Sequence, residues 1–206
     1  MALEPGDNVW YFDEMTSQTP GIPQADWFPG FTSPTDYQGH GEEIFEYVVY
    51  DDQIVRGQPH MRNHAGTFAW LNNNPGNITG RPGGPDFGQY PGKFNWHNFL
   101  IFPDWDTGRA AIAQLLRGPG YASLSLLGAF KKYAPASDGN NPVQYATDVA
   151  SALGVDMNTT LVGDLDDDQM SVVQDKIQQI EGAIPGDVFD LDSPDLPQAI
   201  QDLLAE

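Results

Sequence analysis

The sequence predicts a mainly α protein of the α+β class, in which a helical domain carries a small β-hairpin and follows an irregular N-terminal arm. The chain has 206 residues, enough for one domain of ordinary size or one domain with a loosely folded arm. Its first half is rich in proline, glycine and aromatic residues, whereas apolar residues recur at helical spacing in its second half. We therefore expect an arm at 1–40, a helical domain at 41–186, and an acidic C-terminal tail with a short helix at 187–206.

The strand-like part of the chain is the segment 43–56. It holds several strong strand formers, and the pair Asp51-Asp52 can turn the chain back on itself. We expect a β-hairpin here, and a short helix over 42–50 is the competing interpretation. The later segment 72–95 is dense in Asn, Gly and Pro, which predicts a long loop of the kind that is usually functional or mobile.

Four helices are predicted in the second half of the chain. Their expected ranges are 107–117, 123–133, 142–153 and 168–181. The residues that start or stop them are Asp106 or Thr107, Gly118, Asn141 with Pro142, Gly154, Asp166 or Asp167, and Gly182. A short last helix containing Ile200 is expected after a cap at Ser193.

The composition excludes several classes of function. With 9 Lys+Arg against 29 Asp+Glu, the formal charge is −20, which repels the phosphate backbone of nucleic acids and anionic lipid surfaces. No apolar run approaches the ~18 residues of a membrane-spanning helix, so we expect no membrane insertion. The absence of cysteine excludes disulfides, thiolate nucleophiles and Cys-ligated zinc. The acidic surface favours a cationic partner or carrier, and solubility alone is the alternative explanation.

Two patterns of residues in the sequence are candidates for a metal-binding site. Four aspartates fall at positions 1, 3, 5 and 12 of an EF-hand count, at Asp164, Asp166, Asp168 and Asp175. Position 6 is Gln169 rather than the glycine that the turn needs, so an acidic cap on the following helix is the favoured interpretation. A zinc site built from His60, His64 or His97 with a carboxylate is the other candidate. We expect neither a metal nor a cofactor.

Glutamates are few, and this narrows the search for a general acid. A carboxyl group that protonates a glycosidic oxygen has to be held protonated near neutral pH, which an apolar pocket achieves. Glu46 lies among aromatic and β-branched residues, and Glu43 is a nearby like charge. Glu181 follows Ile180 at the end of a predicted helix and is the second candidate. Surface positions for Glu43 and Glu181 are the alternative.

The most distinctive segment of the chain is NNNPGNI at 72–78. It resembles the signature of a family found in bacteriophages, prophages and bacterial secretion effectors, whose members are labelled structural or virion proteins. Further similar segments follow in the family's order, at 99–102, 106–116, 130–135, 140–145, 152–155 and 177–182. The same region is more faintly similar to lysozyme-like peptidoglycan hydrolases.

This resemblance implies a lysozyme-like helical domain and a muramidase-like hydrolase of peptidoglycan glycan strands. It would act as a secreted antibacterial effector or a phage lysin, with one Glu as the general acid and no cofactor. The resemblance also implies that the loop lines a glycan cleft, where amides hold N-acetyl groups and rings contact sugar faces. The substrate-binding residues expected on this basis are Asn74, Asn77, Tyr90, Trp96 and His97.

The implied partners are peptidoglycan and either an immunity protein or a secretion or virion carrier, with no nucleic acid. Since the first residues lack the basic region and apolar stretch of a Sec signal, we expect synthesis in the cytoplasm and delivery to the periplasm or cell wall by a phage or a secretion system. Two other functions stay open. One is a non-enzymatic virion, baseplate or glycan-binding protein, and the other is a metal-dependent amidase or peptidase that uses the histidines.

Overall fold

The computed structural model describes residues 2–13, 22–23, 43–58, 64–95 and 97–206. Within them the chain has the α+β class that the sequence predicts. The strands are β1 (Asn8–Asp13), β2 (Ile22–Pro23), β3 (Glu43–Val49), β4 (Gln53–Gly57) and β5 (Asp187–Asp190). The α-helices are α1 (Phe68–Leu71), α2 (Trp105–Arg117), α3 (Leu126–Tyr133), α4 (Pro142–Leu153), α5 (Asp167–Glu181) and α6 (Gln198–Ala205).

The chain divides into two compact units. We call them the sheet unit (residues 1–108 and 182–206) and the helical unit (residues 109–181). These limits differ from the expected boundaries at 40 and 186. The reason is that β1, from the expected arm, and β5 and α6, from the expected tail, all belong to the sheet unit.

The five strands form one antiparallel sheet in the order β2-β1-β3-β4-β5. The predicted hairpin is confirmed, since β3 and β4 pair with Val49 opposite Ile54 and the chain turns at Asp51-Asp52. The sheet is larger than the small hairpin expected, because β1 and β5 pair with β3 and β4 from distant parts of the chain.

Side chains alternate between the two faces of the sheet along β3. On one face, Tyr47 and Val49 pack in a core cluster with Ile200 of α6. On the other face, Val48 packs with Leu71 of α1. The C-terminal segment therefore completes one face of the sheet unit, and the segment around α1 covers the other.

The four predicted helices of the second half are confirmed, although three of them start one to three residues from the predicted position. α2 begins at Trp105 because Asp104, and not Asp106 or Thr107, caps it. The N–H of Thr107 donates to Oδ1 of Asp104 at 2.7 Å.

The starts of two other helices are corrected in the same way. α3 begins at Leu126, because the hydroxyl of Ser125 accepts the N–H of Gly128 at 3.2 Å. The last helix is not capped by Ser193, since it begins at Gln198, directly after a proline. No helix within the described ranges combines the length and the apolar character needed to cross a bilayer.

Candidate functional site

The predicted catalytic glutamates belong to different units. Glu46 lies in β3 of the sheet unit, and Glu181 is the last residue of α5 in the helical unit. Glu43 is the first residue of β3, and its side chain lies outside the described part of the chain. Glu46 and Glu181 are therefore considered separately.

The Glu46 side chain is buried in the sheet. It is 1% exposed, and by the alternation along β3 it lies on the same face as Val48. The side-chain amide of Asn8 donates to its Oε1 at 2.7 Å. A buried carboxylate has to be held by such hydrogen bonds, because burial without them costs several kcal/mol. This arrangement gives the carboxylate a structural part in joining β1 to β3.

Asn74 organises the Asn-rich loop (residues 72–104), which connects α1 to α2. Its side chain is 0% exposed, and its Nδ2 donates to the carbonyls of Ile78 and Leu100, both at 2.9 Å. Its Oδ1 accepts the N–H of Ile78 at 2.8 Å. Both amide hydrogens and the oxygen are thus engaged inside the loop, which is a structural role rather than a display of the amide to a ligand.

The loop backbone explains why so many asparagines are needed. Asn73, Asn77 and Asn98 have φ of +47°, +44° and +62°, a region that asparagine enters more readily than most residues. Gly108 of α2 lies so close to the loop that a Cβ placed on it would be 1.8 Å from the carbonyl oxygen of Asn73. The motif therefore builds a tightly packed turn, and Asn77 itself is partly buried in it.

Of the ring-bearing residues that are expected to bind substrate, Tyr90 and His97 lie in two separate clusters of the sheet unit. The ring of Tyr90 lies 6.3 Å from that of Tyr50, and burial, followed by the charge of Asp51, raises the pKa of Tyr90 to about 12. The imidazole of His97 packs edge-on against Phe68, with ring centroids 5.1 Å apart, and desolvation lowers its pKa. Trp96 lies outside the described residues.

The metal-binding alternatives receive no support from the described parts of the chain. There, no group of three or more His, Asp or Glu side chains is placed to hold a metal ion. Asp166 acts as the cap of α5, as the favoured interpretation predicts: its Oδ1 accepts the N–H of Gln169 at 2.8 Å, and Gln169 Oε1 accepts the N–H of Asp166. His60 lies outside the described residues.

A different set of polar residues faces open space between α4 and α5 of the helical unit. Both helices are fixed by strong local signals. Asn141 caps α4 by accepting the N–H of Gln144 at 3.1 Å, and Gly154 ends it in a left-handed conformation. The side of each helix that borders this space carries polar residues at spacings of three and four, which lie on one side of a helix.

Two adjoining cavities follow this line, and we call them together the α4–α5 groove. The smaller has a volume of about 210 Å³ and is lined by Asn140, Asn141, Gln144, Tyr145, Asp148, Ile180 and Glu181. The larger has a volume of about 580 Å³ and is lined by Asp148, Ser151, Ala152, Lys176, Gln179 and Ile180. They share Asp148 and Ile180, so the two cavities meet at these residues. Both cavities are open to solvent, since Ile180, which they share, is 41% exposed.

Glu181 is held at the wall of the smaller cavity by a buried tyrosine. The hydroxyl of Tyr145 donates to Oε1 of Glu181 at 2.9 Å. The Tyr145 ring is stacked on Phe130, with centroids 4.6 Å apart and planes 19° apart, so its hydroxyl is fixed in direction. Burial, with a further contribution from the charge of Glu181, raises the pKa of Tyr145 far above its ordinary value. The hydroxyl therefore stays a hydrogen-bond donor throughout the working pH range.

A second carboxylate, which the sequence analysis missed, lies in the same groove. Asp148 is one helical turn beyond Tyr145 on α4 and accepts a hydrogen bond from Nε2 of Gln144 at 2.8 Å. The sequence does contain a signal, since Tyr145 and Asp148 are three residues apart in a predicted helix and so share a face. What the pattern did not contain was the packing of that face beside the end of α5, where Glu181 lies.

The groove can place two carboxylates, one of them tied to a neutral tyrosine, beside several side-chain amides. This is a chemistry suited to binding a polar, amide-bearing ligand and to proton transfer. Neither a scan of the chain against protein-family models nor a search of the curated proteins gives a match.

Proposed function

We propose that the protein is a peptidoglycan glycan-strand hydrolase of the muramidase type, with a lysozyme-like helical domain and Glu181 as its general acid. The observation that carries the proposal is the position of Glu181, which lines a cavity and accepts a hydrogen bond of 2.9 Å from Tyr145. Glu46, in contrast, is 1% exposed within the sheet. A general acid has to come within hydrogen-bond reach of the oxygen that it protonates, and a residue that lines a cavity meets that requirement.

The roles of the groove residues follow from the chemistry of glycosidic cleavage. Glu181 protonates the leaving oxygen, and Tyr145 fixes the direction of its carboxyl group. Asp148 is the second carboxylate, which either stabilises the oxocarbenium-like transition state or activates water. The amides of Asn140, Asn141 and Gln144 are suited to the N-acetyl and hydroxyl groups of the sugars. The substrate class itself is supported by the resemblance of the sequence to phage and effector proteins.

The biological setting is part of the same proposal. The enzyme acts in the periplasm or cell wall, as an antibacterial effector or a phage lysin, and is delivered there by a phage or a secretion system. We expect its protein partner to be an immunity protein or a carrier protein of the secretion system or virion. The net charge of −20 supports a cationic surface on such a partner.

The test is to incubate the purified protein with isolated sacculi and to identify the released products by mass spectrometry. We expect disaccharide-peptides from the wild type, with or without EDTA. Glu181→Gln should lower their release about 10²- to 10⁴-fold, the usual contribution of a general acid, while Glu46→Gln, the matched exchange at a buried glutamate, should leave it within about tenfold.

Three outcomes would contradict the proposal. Loss of activity in Glu46→Gln alone, with a normal unfolding curve, would move the general acid to the sheet unit. Released peptides that vanish with EDTA would identify a metal-dependent amidase. Binding of the wild type to sacculi without any released product would favour the second candidate, a non-enzymatic glycan-binding or virion protein, which the amide-rich lining of the smaller cavity also suits.

A further inference from the structure

The larger cavity of the α4–α5 groove is lined by a lysine, Lys176. The chain has 9 Lys+Arg against 29 Asp+Glu, so carboxylates far outnumber cations. Ion pairs with carboxylates engage Arg56, Lys93, Arg109 and Arg117. Among the described residues, Arg81, Lys131, Lys132 and Lys176 have no such pair, and of these four Lys176 is the one that lines the groove. Its ammonium group donates to the neutral Oε1 of Gln179 at 2.9 Å.

The position of Lys176 on α5 explains why it has no carboxylate partner. Its neighbours three and four residues away along the helix are Val172, Val173, Gln179 and Ile180. The acidic side chain that shares its cavity is Asp148, which accepts a hydrogen bond from Gln144 at 2.8 Å and forms no ion pair with Lys176. The ammonium group is therefore a positive charge that lines a cavity of about 580 Å³ and is held by a neutral amide.

The apolar part of the same cavity points to a ligand that is not purely ionic. Ile180 is 41% exposed, although it is a large aliphatic side chain, and it forms the boundary with the cavity of Glu181. Ala152 lies in the same lining. A cation, an amide and two small or aliphatic surfaces together fit a short peptide that carries a carboxylate and alkyl side chains.

We propose that this cavity binds the stem peptide of peptidoglycan, with Lys176 pairing to one of its carboxylates, so that the enzyme prefers peptide-substituted over denuded glycan strands. The proposal rests on the hydrolase function proposed above. Peptidoglycan carries its stem peptide on the lactyl group of the muramic acid, directly beside the bonds of the glycan strand. A subsite for this peptide therefore has to adjoin the cavity that holds the general acid, as the shared residues Asp148 and Ile180 allow.

The first measurement compares initial rates on peptide-substituted strands and on strands from which an amidase has removed the peptides. The denuded strands keep a free lactyl carboxylate, so they separate that source of negative charge from the stem peptide. We expect the wild type to cleave peptide-substituted strands with a kcat/KM about tenfold higher, the effect of one charge-assisted hydrogen bond. In Lys176→Met the preference should disappear through KM with kcat unchanged, since the contact is made equally in the ground and transition states.

Two variants serve as controls. Lys176→Arg keeps the charge and should keep the preference. Lys131→Met removes an exposed lysine on α3 and should leave both substrates unaffected. Equal rates of the wild type on both substrates, or a preference that Lys176→Met keeps, would overturn the proposal.

A binding measurement tests the subsite without any catalysis. Calorimetric titration with a soluble stem tripeptide should show binding to the wild type, about tenfold weaker binding to Lys176→Met, and weakening as salt rises. A tripeptide with amidated carboxylates should bind as weakly to the wild type as the free tripeptide does to the variant. If sacculi are not cleaved but the tripeptide binds through Lys176, the hydrolase proposal fails and the subsite stands. If cleavage occurs and the tripeptide does not bind, the subsite fails alone.

Discussion

The Asn-rich loop and the α4–α5 groove both concentrate polar side chains, but they use them in opposite ways. In the loop, the side-chain amide of Asn74 makes three hydrogen bonds to backbone groups, and the residue is 0% exposed. In the groove, Glu181 lines a cavity and accepts a hydrogen bond from the hydroxyl of a buried tyrosine. The Asn-rich loop, whose sequence is the more distinctive, thus has a structural role. Helices α4 and α5, whose sequences are ordinary for helices, form the surface that lines a cavity.

The physical reason for this difference is backbone geometry. A loop with three asparagines at positive φ, and with a carbonyl packed against Gly108 of α2, tolerates few residue types, so its sequence is unusual whatever its function. A helix face accepts almost any side chain without changing its backbone. Functional residues on a helix therefore do not make its sequence unusual. The predictions below test each side of this contrast.

The largest expected effect is on the loop. Asn74→Ala removes three hydrogen bonds and leaves buried backbone groups unsatisfied, which should lower the free energy of unfolding by about 2–4 kcal/mol. Urea unfolding at constant m-value measures this. Asn158→Ala, which changes an exposed side chain of the helical unit, should stay within about 0.5 kcal/mol of the wild type. A normally stable Asn74→Ala that no longer binds sacculi would instead make the loop a ligand site.

A second change tests how tightly the loop is packed. In Gly108→Ala the new Cβ meets the carbonyl oxygen of Asn73, and relieving that contact should cost about 1–3 kcal/mol of stability. Gly128→Ala in α3 is the matched exchange, since its new Cβ would be 3.4 Å from the Ser125 hydroxyl, an ordinary contact. That variant should gain up to about 1 kcal/mol from helix propensity. Similar effects of the two exchanges would contradict the packing described for the loop.

Tyr145→Phe tests the role proposed for Tyr145 in the α4–α5 groove. The ring and its stacking on Phe130 are kept, while the hydrogen bond to Glu181 is lost. We expect kcat for strand cleavage to fall about tenfold with KM unchanged, because the hydroxyl positions the general acid and does not touch the substrate. Tyr121→Phe, at a half-buried tyrosine of the same unit, should change neither constant. A fall in stability with no change in kcat would make Tyr145 a purely structural residue.

The elements that the sequence predicts well are those defined by local signals. α4 was expected at 142–153 and lies at Pro142–Leu153, because Asn141 and Gly154 mark its ends without help from the rest of the fold. β5 was not expected, since DVFD at 187–190 is mostly exposed, and its identity as a strand depends on pairing with β4, more than 120 residues earlier. Its flanking aspartates are typical of an edge strand, which is why the segment resembles an acidic tail.

The candidate site was predictable only in part, for a related reason. Glu181 was a candidate because glutamates are few and because it ends a helix. Asp148 and Lys176 were not, since nothing in a helical pattern tells which polar face turns toward a neighbouring helix. Glu46 illustrates the opposite error, because an apolar sequence context predicts burial and cannot distinguish a buried structural carboxylate from one at the wall of a cleft.

The smallest expected effect concerns His97, whose pKa is lowered by its packing against Phe68. As the pH falls below the ordinary value of 6.5, the unfolded chain takes up this proton before the folded chain does, so the stability of the fold decreases until the pH reaches the lower folded pKa. His97→Gln should remove that part of the acid slope in unfolding curves measured between pH 7.5 and pH 5. If the dependence of stability on pH is unchanged in this variant, other titrating groups cause the acid sensitivity. Sacculus binding that falls over the same pH range in the wild type, and not in His97→Gln, would support the substrate-binding role that is expected for His97.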